Sequence, residues 1–157
     1  MSESLINELQ PRIGEELGVS AWTTINQSQI NKFGDATNDP DPMHIDPTWS
    51  RQNSPFNTTI SFGFLTMSLL TSLYHEVMSY DRFGGDGGHG LNYGFDRLRL
   101  ISPVPVDSRV RGRFILNGIE PRGNDQSLLR IGSTIEIEGQ EKPALVGDWL
   151  VMWVADT

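Results

Sequence analysis

From Gly63 onward the apolar residues Leu65, Leu69, Leu70, Leu73, Tyr74, Val77 and Met78 recur at helical spacing and cover nearly the whole circumference of a helix ending at Met78. Such a helix is expected to be wrapped by protein on most sides. Upstream, Leu5, Ile6, Leu9, Ile13 and Leu17 are interrupted by Pro11, which predicts a short amphipathic helix or turn that stops at Gly18. Residues 20–25 lean towards strand. Asn26 followed three positions later by Gln29 is a capping-box signature, and Ile30, Phe33 and Thr37 then form one core-facing stripe of a helix that must stop near Asn38.

The texture changes after Leu91. Four strands are predicted at 91–101, 108–121, 127–139 and 144–155, separated by turns at Ser102-Pro103, Pro121 to Asn124 and Glu138 to Gln140. Alternation is clearest in Arg97-Leu98-Arg99-Leu100 and in Thr134 to Glu138, so each strand presents one face to a core and one to water. Successive antiparallel strands, one early strand and one enclosed helix make an α+β fold. At 157 residues the whole chain, 1–157, is expected to form a single domain.

Composition narrows the chemistry. There are no cysteines, which removes disulfides, thiolate metal sites and cysteine nucleophiles. The first residues lack a basic stretch followed by an apolar one, so a cytoplasmic location is expected. The Gly63–Met78 run is 16 residues and contains Thr66, Ser68, Thr71 and Ser72, against the ~20 apolar residues a bilayer needs. No membrane partner is expected. A net charge of -8 argues against nucleic acid, and Arg97, Arg99, Arg109, Arg111 and Arg113 read as solvated strand faces. The glycines from Gly84 to Gly90 follow a helix and precede a strand, so they read as a linker and not as a phosphate loop, with His89 in solvent. Trp149 and Trp153 share one face of the last strand, and His75 sits where a cation suits a helix C-terminus.

The segment Phe33 to Pro47 stands apart, with four acids, three prolines and one histidine in fifteen residues. Pro40 and Pro42 restrict Asp39 and Asp41, which predicts a stiff, extended stretch from Asp39 to His44. Residues 48–59 read as a loop with room for one helical turn. Composition alone leaves a bland alternative, a solubilising surface turn, and a functional one, a metal site made by Asp39, Asp41, His44 and Asp46. The metal reading lacks the glycine and glutamate positions of an EF-hand.

Phe33-Gly-Asp-Ala-Thr-Asn-Asp-Pro-Asp-Pro-Met-His-Ile-Asp46 resembles the hydratase motif of the MaoC-like dehydratases, the family of (R)-specific enoyl-CoA hydratases, whose pattern is F-A-x-x-[ST]-G-D-x-N-P-[IL]-H-x-D. The resemblance extends to Gly14–Trp22, Ile60–Leu70 and Asn92–Val106, which look like the nodulation-protein-N-like branch. It implies a hot-dog fold, an antiparallel sheet wrapped around one long helix, in a homodimer whose sheets join. By the same resemblance Asp39 and His44 match the catalytic pair that activates water for addition to a trans-2-enoyl thioester, such as an acyl-CoA. Gly63 matches the glycine whose N–H contacts the thioester carbonyl. Asp41, Ser61 and Phe62 are the further residues expected against the substrate; no cofactor and no metal are expected. Asp41, Asn38 and Phe62 depart from the pattern's Asn, Gly and commonly found His. A hot-dog thioesterase or a non-catalytic acyl-thioester binding module is the alternative that Asp41 and Phe62 motivate.

Overall fold

Strands β3 (Gly88–Leu100), β4 (Arg109–Pro121), β5 (Gln126–Ile137) and β6 (Leu145–Ala155) follow the four expected segments to within three residues at either end. They come from a computed structural model that describes residues 3–79, 88–123 and 125–156. Before them lie α1 (Glu3–Leu9), a 3-10 turn at Gln10–Arg12, β1 (Glu16–Val19), β2 (Thr23–Thr24), α2 (Gln27–Thr37), α3 (Pro42–Ile45), α4 (Pro47–Asn53) and α5 (Gly63–Met78). All pairings are antiparallel, in the order β1-β4-β5-β6-β3, with β2 also on β4.

Sheet and helix meet through aromatic rings. Tyr74 of α5 lies edge-on to Phe114 of β4 at 5.1 Å and to Trp149 of β6 at 5.5 Å between centroids. Trp149 and Trp153 are both buried, as their shared strand face requires. Leu70, Leu73, Tyr74 and Met78 carry the buried side of α5.

Three expectations change. Helix α5 is not wrapped on most sides within one chain: Phe64 is 70% exposed, and Ser68, Ser72 and Glu76 continue the open strip at four-residue steps. Those three polar residues define the strip, which the apolar count obscured. The early strand is split, with Glu16–Val19 pairing β4 ahead of the two-residue β2. Gly18 does not end a helix there; it lets β1 pass α5, since a Cβ would stand 2.7 Å from Val77 Cγ1. Of the glycine run, Gly88, His89 and Gly90 belong to β3 rather than to a linker, and Gly84–Gly87 lie outside the described residues. His89 is exposed and 3.3 Å from Asp156.

The arginines decorate strand faces. Arg97 pairs with Asp148, Arg109 with Glu138, Arg111 with Glu136, and Arg113 with both Glu16 and Glu136. Among the described residues Arg99 makes no ion pair. No helix of the described residues is long and apolar enough to cross a membrane.

Candidate active site

Helix α2 begins with the full capping box, in which Asn26 Oδ1 accepts from the Gln29 N–H and Gln29 Oε1 accepts from the Asn26 N–H. It ends on Asn38 in the left-handed region (φ 55°, ψ 39°), a conformation asparagine tolerates. The chain turns there, and the Asp39 N–H returns to Gly34 O at 2.9 Å.

Past this turn the proline stretch is not extended to His44. Asp41 is held out of the helical region (φ -60°, ψ 116°), but Pro42 opens α3 as its first residue. The Asp41 carboxylate accepts from the Met43 N–H at 2.9 Å and acts as the N-cap. Asp46 does the same for α4, accepting from the N–H groups of Thr48 and Trp49. Residues 48–59 thus hold more helix than one turn. Two of the four side chains in the metal reading are engaged as caps, and among the described residues no group of three or more His, Asp or Glu is placed to hold an ion.

His44, on α3, is oriented by backbone. Its Nδ1 lies 2.8 Å from the Ile60 carbonyl oxygen. A carbonyl only accepts, so Nδ1 carries the proton and Nε2 has the lone pair in the neutral ring. No described residue hydrogen-bonds Nε2. The Ile60 carbonyl is held in turn, with Ser61 N–H donating to Val104 O at 2.8 Å and Val106 N–H to Thr59 O at 3.0 Å. Phe62, buried, stacks on the imidazole at 4.0 Å and lies 5.3 Å from Phe33.

Helix α5 starts immediately beyond, at Gly63. Its N-cap, Phe62, offers no side-chain hydrogen bond, so the positive end of a 16-residue helix keeps its first N–H groups uncapped by side chains. Thr66, buried one turn in, reaches back to Ser61 Oγ at 3.1 Å and Phe62 O at 3.2 Å. His44, Ser61, Gly63 and Thr66 line one cavity of about 220 Å³, to which Leu100 and Val104 also contribute. Three of the six expected residues therefore converge. Phe62 stands behind His44, Asp41 is a cap, and Asp39 is exposed outside the lining, its Oδ1 taking the Asp41 N–H at 3.2 Å.

Such a cavity offers an imidazole nitrogen on one wall and a helix N-terminus on the other, an arrangement suited to moving a proton beside a carbonyl that gains negative charge. The family model for a MaoC like domain matches residues 8–138. The chain belongs to the MaoC-like dehydratase family. Nodulation protein N of Rhizobium leguminosarum bv. viciae is 41% identical over 152 residues, covering 97% of this chain and 92% of that protein. The 3-hydroxyacyl-thioester dehydratase Z of Mycobacterium tuberculosis (strain ATCC 25618 / H37Rv) is 39% identical over 150 residues, covering 96% of each. Among solved structures, the (R)-hydratase from A. caviae involved in PHA biosynthesis superposes with a TM-score of 0.68 at 19% identity, over 88% of this chain and 94% of that one. The architecture is accordingly the hot-dog fold, as the motif resemblance implied.

In this MaoC-like chain the sequence motif omits several parts of the site. Gln27 bridges three segments, its Nε2 donating to His44 O at 2.8 Å and its Oε1 accepting from Thr59 Oγ1 at 2.5 Å. Buried Ser50 of α4 donates to the carbonyls of Pro42 and Met43 and fixes α3 from the other side. Leu100 arrives from a strand 56 positions beyond His44. Gln27 could have been suspected from its place at the first position of a capped helix, whereas nothing near Leu100 sets it apart from any strand-end leucine.

Proposed function

We propose that this protein is an (R)-specific hydratase and dehydratase of acyl thioesters, interconverting a trans-2-enoyl and a 3-hydroxyacyl thioester. The observation that carries the reading is the shared cavity of His44, with its tautomer set by Ile60 O, and Gly63 at an uncapped helix start. In the hydration direction Nε2 of His44 takes a proton from water, the hydroxide oxygen bonds to C3, and the C2=C3 electron pair moves towards the carbonyl. The resulting enolate oxygen is stabilised by the Gly63 N–H and the helix dipole, and C2 then takes the proton held on His44 Nε2, which returns the ring to its neutral form. Glycine suits this position because a substrate oxygen can approach its backbone closely. Asp39 is assigned to hold the water with His44. Its carboxylate accepts from the Asp41 N–H at 3.2 Å, the upper end of the usual range, and is exposed, so its remaining lone pairs are open to water.

The relative named 3-hydroxyacyl-thioester dehydratase Z, 39% identical, supports this choice over a thioesterase. The working unit is inferred to be a homodimer. β3 is an outer strand of the sheet and presents Leu91 (55% exposed) and Tyr93 (63%) to solvent, an edge that pairing with a second copy would satisfy.

Loss of the enoyl absorbance of crotonyl-CoA and longer enoyl-CoAs tests the reading. His44→Ala and Asp39→Ala should each lower kcat/KM by roughly 10²–10⁴-fold, the usual contribution of acid–base catalysis. Wild type and variants equally inert at every chain length would end it, and release of free coenzyme A that survives His44→Ala would favour the thioesterase.

A further inference from the structure

The residue closest to Gly63 across the cavity is Leu100. A Cβ built on Gly63 would run into Leu100 Cδ1, so this methyl lies directly over the start of α5. The strand backbone below it is fixed, with Leu100 paired to Leu145 and the Ile101 N–H on Ala144 O at 2.8 Å. The side chain is not fixed in that way. It is 52% exposed in the single chain and lies outside the hydrophobic core cluster, so no packing within the chain locks its rotamer. Of the other lining residues Ser61, Thr66, Val104 and Ala144 are buried, whereas Ile101 and Pro103 are exposed beside Leu100. The volume beyond His44 is about 220 Å³, below the roughly 300 Å³ at which pockets for drug-sized ligands begin.

We propose that Leu100 sets the acyl-chain length of this site, restricting it to short-chain acyl thioesters by lying across the approach to Gly63. The inference rests on the acyl-thioester reading above for its ligand. An acyl chain lies beyond the thioester carbonyl, and a carbonyl at the Gly63 N–H places the first carbons of that chain against the Leu100 methyls. A short chain fits with Leu100 turned aside; each further methylene meets the buried Ser61, Thr66, Val104 and Ala144. Shortening Leu100 to alanine opens the cavity beside Gly63.

Saturated acyl-CoAs test this without turnover, because they have no double bond to hydrate. Affinities of butanoyl-CoA and octanoyl-CoA are measured by titration calorimetry for wild type, Leu100→Ala and the volume-conserving Leu100→Met. A fully buried methylene is worth about fourfold in affinity. Wild type and Leu100→Met are expected to gain nothing on lengthening the chain from butanoyl to octanoyl, whereas Leu100→Ala gains at least tenfold. An identical octanoyl-to-butanoyl ratio in all three proteins overturns the proposal. So does a wild type that already gains the full increment, a ratio that moves only where sedimentation shows an altered assembly, or a protein that binds neither ligand. Enoyl-CoA hydration is followed in the same preparations. A shifted ratio without hydration sinks the hydratase reading and leaves Leu100 as the length determinant; hydration with an unshifted ratio does the reverse.

Discussion

One backbone oxygen decides what the imidazole can do. Because Ile60 O occupies Nδ1 of His44, the nitrogen left for the proposed proton transfer is Nε2, and any change that moves residues 59–61 alters the imidazole without touching it. Gly63 is equally constrained, and its constraint can be measured. Gly63→Ala places a methyl where Leu100 Cδ1 sits, and that atom is the end of a flexible side chain, not backbone. The variant should fold, with hydration of crotonyl-CoA reduced by about a hundredfold, the scale expected for a misplacement near 1 Å. Adding Leu100→Ala should restore part of the rate, and a double-mutant cycle with no coupling between the two positions would contradict the contact.

At the level of elements, the site is a suspension. Segment 59–61 hangs between α3 and residues 104–106, and Gln27 ties α2 to both His44 and Thr59. Gln27→Ala should lower kcat more than it raises KM, since it loosens the imidazole's support and not the substrate's walls, and should cost about 1 kcal/mol of stability. Gly18→Ala belongs to this scale too. It forces a Cβ onto Val77 and into a positive-φ backbone (156°), so a loss of about 1–3 kcal/mol is expected in urea unfolding. The long elements were legible in the chain because their signals are local and repetitive. Asn26 with Gln29 gave α2 its start, and Arg97 to Leu100 and Thr134 to Glu138 gave the strand faces. What the chain hid depends on partners far away in sequence. β1 is four residues long and is defined by pairing with residues 113–115, almost a hundred positions later. α3 was hidden for another reason, because Pro42 both constrains Asp41 and nucleates the next turn. Asp39 shows the same limit in the site itself, for a motif specifies spacing along the chain but not the rotamer that the Asp41 N–H selects.

Across the whole molecule, an acidic chain of net charge -8 engages its strand-face carboxylates in ion pairs. Burial alone would raise the pKa of Asp148, but hydrogen bonds from Arg97 and Asn117, with the charges of Arg97 and Arg130, outweigh it and leave the group below its ordinary value. Glu136 is likewise raised by burial and brought lower overall by Arg111 and Arg113. Groups depressed in this way add stability that is complete above their unfolded pKa values, about 4 for carboxylates, and that disappears as pH falls through the lower folded values. The melting temperature should therefore drop on acidification from pH 5 to pH 3. Asp148→Asn should be less stable at pH 7 by about 1–2 kcal/mol and should show a shallower acid limb. The order of strands has a consequence for biosynthesis. His44 and Gly63 leave the ribosome long before Leu100, Val104 and Ala144, and at about 5–20 residues per second the pocket's two halves are separated by several seconds of translation. A nascent chain arrested before β3 carries every residue of the hydratase motif, yet has no chamber in which to use them.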